Sequence, residues 1–185
     1  MVVNLGEVHK PKKKLVETVE NKNYAMAKER KISIKWRINV LTGEFQNNLD
    51  AKGRLIVPSK LKEALGEQFV ITKGVERCLL VYPMKSWEVM EETRAGLDFF
   101  DPAARKFERY FFGSAETCEV DKQGRVLIPQ TLRKFAGIEK EVYTIGTGTK
   151  LEIWNKEEYE RYMDDNYEPE SLSREFSGLG VGKKL

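Results

Sequence analysis

The segment Leu49-Asp50-Ala51-Lys52-Gly53-Arg54-Leu55-Ile56-Val57-Pro58 returns later in the chain as Val120-Asp121-Lys122-Gln123-Gly124-Arg125-Val126-Leu127-Ile128-Pro129. Asp121 follows Asp50 by 71 positions. The same spacing separates Gly53 from Gly124, Arg54 from Arg125, Pro58 from Pro129, Leu61 from Leu132 and Gly66 from Gly137. After one inserted residue, Gly74 matches Gly146, Leu79 matches Leu151, Val81 matches Ile153, Tyr82 matches Trp154 and Trp87 matches Tyr159. Such self-similarity means that one supersecondary unit occurs twice. Two copies are expected to pack about a pseudo-twofold axis, presenting two Asp-x-x-Gly-Arg turns whose arginines have related geometry.

Each copy has the same local grammar. A strand (44–49, and 116–120) runs into Asp-x-x-Gly, where Asp50 and Asp121 open a tight turn by capping backbone N–H groups and Gly53 and Gly124 close it. A second strand (54–57, and 125–128) is stopped by Pro58 or Pro129, which cannot donate to a ladder but suits a first helical turn. Short helices at 59–65 and 130–136 then end at Gly66 and Gly137. A strand pair closes each unit, 68–73 with 78–82 and 141–145 with 150–154, and a helix ends each half. The second of these helices starts at Asn155, with Glu158 in capping-box position.

Between the halves, Asp101-Pro102 marks a helix start. That helix, to about Phe112, carries Phe107, Tyr110, Phe111 and Phe112 at helical spacing, which assigns them to core or subunit-interface packing rather than base stacking. The domain plan is therefore a basic extension over 1–39, a first repeat over 43–97, a connecting helix over 98–113, a second repeat over 114–163 and a tail without regular structure over 164–185.

Charge is distributed unevenly along this plan. Residues 1–42 carry ten Lys/Arg against four Asp/Glu, 43–162 carry 19 against 20, and 163–185 carry three against five. The repeated core is close to neutral, so anion binding there must come from local arrangement rather than from a basic domain. The stretch 1–39 contains Lys12-Lys13-Lys14 and Lys28-Glu29-Arg30-Lys31 and reads as a basic arm, with a short helix from Val16 to Lys31.

Catalytic chemistry finds little support. The one histidine, His9, lies in the N-terminal stretch, outside the repeat. No Cys–His or Ser–His pairing and no histidine-containing metal cluster can form in the repeated part. Cys78 and Cys118 lack CxxC spacing and sit in apolar strand contexts, as free thiols of a reduced compartment do. No apolar run approaches the ~20 residues of a membrane span, so the default reading is cytoplasmic. No cofactor, metal, membrane or small-molecule substrate is expected.

Asp50-Ala51-Lys52-Gly53-Arg54 and Asp121-Lys122-Gln123-Gly124-Arg125, in tandem and each followed by an aliphatic strand and a proline, resemble the Asp-x-x-x-Arg motifs of the MraZ family of bacterial transcriptional regulators. The likeness runs over roughly Gly43 to Met163. It includes Cys78-Leu79-Leu80-Val81-Tyr82-Pro83 with Trp87, Phe112-Gly113-Ser114-Ala115, and Glu152-Ile153-Trp154. The resemblance implies an α+β fold: a tandem swapped-hairpin β-barrel like that of AbrB and MazE, with short peripheral helices, in which the two halves interleave within one chain. It further implies ring-like homo-oligomers, nucleoid association, and binding of double-stranded DNA at direct repeats upstream of the protein's own operon in the division and cell-wall gene cluster. Carried over by position, Asp50, Gly53, Asp121 and Gly124 form the turns. Lys52, Arg54, Arg125, Lys122 and Gln123 are candidates for DNA contact. Gln123 stands where the first copy has Lys52, so the halves need not touch DNA equally.

An arginine held at a strand start can bind phosphate or read guanine O6 and N7 bidentately. The competing reading is that Arg54 only pairs with Asp50 across its own turn; a dual use, with Asp orienting Arg, stays open. At the level of function, a sequence-specific DNA-binding regulator stands beside an antitoxin-like DNA-binding partner protein and a non-DNA barrel interaction module, because fold alone never settles function. The chain departs from the family pattern at its start. MraZ-like chains begin Met-Phe-x-Gly, and here Val40-Leu41-Thr42-Gly43 occupies that place. One expectation is that translation begins at Val40 on a GTG codon and that 1–39 is an upstream extension of the reading frame. The other is a genuine basic arm that adds salt-sensitive phosphate contacts.

Overall fold

The computed structural model describes residues 40–179. The basic stretch 1–39, its expected helix over 16–31, and the last six residues lie outside the described residues. The elements run β1 (Leu41–Asn48), β2 (Arg54–Ile56), α1 (Ser59–Leu65), β3 (Gln68–Lys73), β4 (Leu79–Pro83), α2 (Met84–Ala95) and α3 (Pro102–Phe111). A 3-10 turn (Phe112–Ser114) follows, then β5 (Glu116–Glu119), β6 (Arg125–Leu127), α4 (Gln130–Phe135), β7 (Glu141–Gly148), β8 (Leu151–Asn155), α5 (Lys156–Asn166) and α6 (Pro169–Gly178). Among them no helix is long and apolar enough to cross a membrane.

Six strands form one antiparallel sheet in the order β1-β7-β8-β4-β3-β5, while β2 and β6 pair separately as a two-stranded ribbon. The halves are interleaved. The opening strand of the first repeat, β1, pairs along its whole length with β7 of the second, from Leu41 opposite Gly148 to Asn48 opposite Glu141. The opening strand of the second repeat, β5, pairs with β3 of the first.

The registers locate the pseudo-twofold axis. In the ribbon, Leu55 lies opposite Val126, its own counterpart in the repeat, with Arg54 opposite Leu127 and Ile56 opposite Arg125. In the sheet, Leu80 lies opposite Glu152, again a pair of matched positions. The axis passes through both pairs.

The sheet is open, which corrects the expectation of a closed barrel: β1 and β5 are its edges. The physical reason lies in the turns. After the Asp50 and Asp121 turns the chain leaves the sheet plane, and only three residues of strand remain before Pro58 or Pro129 ends donation to a ladder. Those short segments pair with each other and do not bridge the two edges.

The alternation of side chains along β3, β4 and β8 divides the interior in two. Phe69, Ile71, Leu79, Val81, Leu151 and Ile153 face the ribbon and helices α1 and α4, joining Leu55, Val57, Val126 and Ile128 in the main core. Val70 and Tyr82 face the opposite way and meet Trp87 of α2 and Phe111 of α3. Trp87 and Phe111 stack with centroids 5.7 Å apart, and Tyr110 donates its hydroxyl to the Gly74 carbonyl at 2.7 Å. The aromatic set of α3 is thus largely core. Trp87 is likewise buried within the chain.

Caps behave as the residues dictate. Asp101 accepts from the Ala103 N–H at 2.9 Å, and Asn155 from the Glu158 N–H at 3.0 Å. The region from 164 differs from the expected irregular tail: α5 continues to Asn166 and a further helix runs from Pro169 to Gly178. Proline in a first helical turn pre-organises that second start, and the glycine run begins only at its end.

Candidate nucleic-acid interface

Both Asp-x-x-Gly-Arg segments fold as one type of turn. The Gly53 N–H bonds the Asp50 carbonyl at 2.8 Å, and the Asp50 N–H bonds the Arg54 carbonyl at 2.9 Å. In the second copy the corresponding distances are 2.8 Å for Gly124 to Asp121 and 2.7 Å for Asp121 to Arg125. Gly53 and Gly124 both sit at φ 77°, the left-handed region that an L side chain enters only at a cost. The result is a turn closed by a left-handed glycine, leading straight into the ribbon.

The aspartate organises everything around it. Asp50 Oδ1 accepts the backbone N–H of Lys52 at 2.9 Å and of Arg54 at 3.0 Å. Its Oδ2 accepts Arg54 Nε at 2.7 Å and lies 2.6 Å from Nη2. Asp121 repeats the set. Its Oδ1 takes the N–H groups of Gln123 and Arg125, both at 2.9 Å, and its Oδ2 takes Arg125 Nε at 2.9 Å and Nη2 at 2.7 Å. The hydrogen bond from Arg54 is the main cause that holds the Asp50 carboxyl at about 2, below the usual 3.8, with the backbone donors adding to it. Asp121 is held at about 2 by Arg125 in the same way.

The intra-turn ion pair therefore forms, and it leaves the arginine half engaged. A guanidinium has five N–H donors. Nε and Nη2 point at the aspartate, and no other hydrogen bond from either guanidinium is made among the described residues. Among the described residues the Nη1/Nη2 edge, which can meet two acceptors at once, stays free. Both side chains remain partly accessible, at 26% for Arg54 and 22% for Arg125.

Two cations that local sequence reading did not single out complete the picture. The guanidinium of Arg133, from α4 of the second repeat, packs directly on Gly53 of the first; a Cβ at Gly53 would fall 2.5 Å from its Cζ. Lys62, from α1 of the first repeat, reaches over Gly124 of the second in the same way. Arg133 is further anchored by its Nε bond to the Ile128 carbonyl at 3.1 Å. Lys62 and Arg133 are matched positions, and a cation at both was the one signal available. Each turn thus carries its own basic residues plus one from the opposite half: Lys52, Arg54 and Arg133 at the first, Lys122, Arg125 and Lys62 at the second. Ala51-Lys52 against Lys122-Gln123 shifts the turn lysine by one position, so Gln123 costs the second turn no charge. Lys52, Lys122 and Gln123 are all exposed, and none of Lys52, Lys62, Lys122 and Arg133 enters a salt bridge among the described residues.

Other reactive groups in the described region are quiet. Burial pushes the Cys78 thiol up to about 12 and the Cys118 thiol up to about 11, so neither is a thiolate near neutrality. Both are free cysteines. Among the described residues no group of three or more His, Cys, Asp or Glu side chains could hold a metal ion.

The sequence profile of the MraZ protein family, described as antitoxin-like, matches residues 40–110 and again residues 111–176. The chain belongs to the MraZ family. Its two matched segments meet at the end of α3. Relatives named "Transcriptional regulator MraZ" include one from Acetivibrio thermocellus, 48% identical over 140 residues that cover 75% of this chain and 98% of that protein. Another, from Desulforamulus reducens, is 51% identical over 120 residues covering 65% of this chain and 84% of its own length. A third, from Caldicellulosiruptor bescii, is 46% identical over 143 residues covering 77% of this chain and all of its own length.

Proposed function

We propose that this protein is a sequence-specific, double-stranded-DNA-binding transcriptional regulator, and that the paired turns and the ribbon between them form its DNA-contacting face. The observation that carries the reading is the half-engaged guanidinium. Asp50 and Asp121 fix the direction of Arg54 and Arg125 while leaving their bidentate edges open, the arrangement that reading guanine O6 and N7 requires. Lys52, Lys122 and Gln123 of the same turns, with Lys62 and Arg133 packed on the turn glycines, supply phosphate contacts that set orientation. The interleaved pairing of β1 with β7 and β5 with β3 supports a swapped-hairpin kinship with AbrB and MazE, realised inside one chain.

A near-neutral core does not bind DNA tightly as a single copy, so the reading includes self-association into a ring-like homo-oligomer. Spaced copies of the face then engage spaced operator repeats, and affinity grows through effective concentration. The exposed aromatics Phe99 and Phe100, 69% and 83% accessible, and Phe107, 40% accessible, offer apolar surface for it. The sites proposed are direct repeats upstream of the protein's own operon, in the division and cell-wall gene cluster, which places the protein on the nucleoid.

A footprint on that upstream region tests the proposal. It is expected to show repeated protected elements, and light scattering a multi-subunit particle. Binding of that region no tighter than of an unrelated duplex at equal salt would overturn it.

A further inference from the structure

On the outer face of the β2/β6 ribbon, Ile56 and Leu127 are 57% and 56% accessible. They are matched positions of the two repeats, so the same aliphatic exposure occurs twice, on either side of the pseudo-twofold axis. Nothing in the fold requires it. The inner face of the ribbon already supplies the core through Leu55, Val57, Val126 and Ile128, and the outward position of a half-exposed strand is ordinarily polar.

Their neighbours define what the pair can meet. Ile56 lies opposite Arg125, and Leu127 opposite Arg54. The bonds from the Val57 N–H to the Gly124 carbonyl at 3.0 Å and from the Ile128 N–H to the Gly53 carbonyl at 3.1 Å make those the hydrogen-bonded pairs. By alternation, Arg54/Leu127 and Ile56/Arg125 fall at non-hydrogen-bonded sites, where facing side chains approach most closely. The outer face is therefore a four-residue patch with aliphatic and arginine side chains on alternate corners. Two residues along a strand and one strand across set the two arginine Cα atoms about 8 Å apart.

We infer that Ile56 and Leu127 are a contact surface for thymine methyl groups in the major groove, lying between the bases addressed by Arg54 and Arg125. The inference rests on the DNA-binding reading and adds a specificity-determining pair to it. A two-stranded ribbon fits the major groove, about 12 Å wide, and not the minor groove, about 6 Å wide. In the major groove the C5 methyl of thymine is the one apolar group that a base edge presents, and aliphatic side chains recognise it by contact. The patch carries its own two arginines, the turns that lead into it add the exposed Lys52 and Lys122, and Lys62 and Arg133 pack on the turn glycines Gly124 and Gly53. That concentration of like charge opposes a second copy of the same face and complements a polyanion.

Deoxyuridine in place of thymidine removes only the C5 methyl and keeps every hydrogen-bonding group. A randomised duplex pool is selected on the full chain, and the enriched duplex is resynthesised with deoxyuridine. Wild-type affinity is expected to fall about fourfold for each contacted methyl. The Ile56→Ala/Leu127→Ala double variant is expected to bind the thymine and uracil duplexes equally. Both positions are exposed, so the variant should fold; its thermal melt and particle size are measured alongside. Equal wild-type affinity for the two duplexes would overturn the inference alone, as would a double variant that keeps the full thymine preference. A smaller particle for the variant would assign the face to a second copy and also overturn it. Failure to enrich any duplex would overturn the DNA-binding reading itself, and this inference with it.

Discussion

Arg54 gives one edge of its guanidinium to Asp50, with Nε at 2.7 Å and Nη2 at 2.6 Å from the same carboxylate oxygen. Two electrostatic expectations for Asp50→Ala then have opposite signs. Removing an anion from the proposed DNA-facing surface should tighten phosphate binding, whereas freeing the arginine should remove its aim. The second effect is expected to win at a specific site, because a bidentate base contact carries more discrimination than one remote charge. Asp50→Ala should lose on the order of tenfold in affinity for the operator duplex, with binding to unrelated duplexes unchanged or slightly tighter. Parallel titrations of both duplexes at one salt concentration check this.

The same hydrogen bonds fix an acid transition. Asp50 and Asp121 are both lowered, from 3.8 to about 2. The stabilisation they give is fully present above the unfolded value and is lost as pH falls from there through the folded value. Carboxyl carbon shifts followed by NMR should show two aspartates titrating near pH 2, and Asp50→Asn should remove one of them. Two turn aspartates titrating near 4 would mean that the arginines do not hold them.

Gly53 and Gly124 share the same φ but not the same surroundings. Alanine at either position enters the left-handed region, at about 1–2 kcal/mol. At Gly53 the added methyl also meets the Arg133 guanidinium, which is partly buried and tied to the Ile128 carbonyl. At Gly124 it meets the end of Lys62, an exposed and flexible chain that can swing away. Gly53→Ala is therefore expected to be the more destabilising of the two in chemical denaturation.

Much of this architecture was legible in the residues. The repeat gave the pseudo-twofold relation, the Asp-x-x-Gly spacing gave both turns, and Asp101-Pro102 and Asn155 gave two helix starts that the structure keeps. Local spacing could not show which turn Lys62 or Arg133 covers, because those contacts cross between halves and depend on the pairing of β2 with β6. The same holds for sheet closure, since three-residue strands carry no sign of what they pair with. The helix Pro169–Gly178 was obscured by the acidic and glycine-rich composition around it. Ile56 and Leu127 read as ordinary strand residues until burial on the opposite face showed them to be outward.

Lys62 and Arg133 provide a separate check on the cross-repeat geometry. If each touches a phosphate, Lys62→Gln and Arg133→Gln should each make the slope of log K against log salt shallower by about 0.9. Sequence preference should be unaffected, since phosphate contacts position the protein rather than specify the site. An unchanged salt slope would remove these two residues from the interface.

On the proposed reading, Arg54 and Arg125 read DNA while their aspartates hold them. Its most direct test is the affinity of folded, correctly assembled Arg54→Ala and Arg125→Ala variants for a duplex carrying the protein's own upstream region. Each lost contact is expected to cost about 1–3 kcal/mol, more where the face is repeated in the assembly. Preference over an unrelated duplex should shrink by the same factor. Operator affinity equal to wild type in both variants would contradict that role.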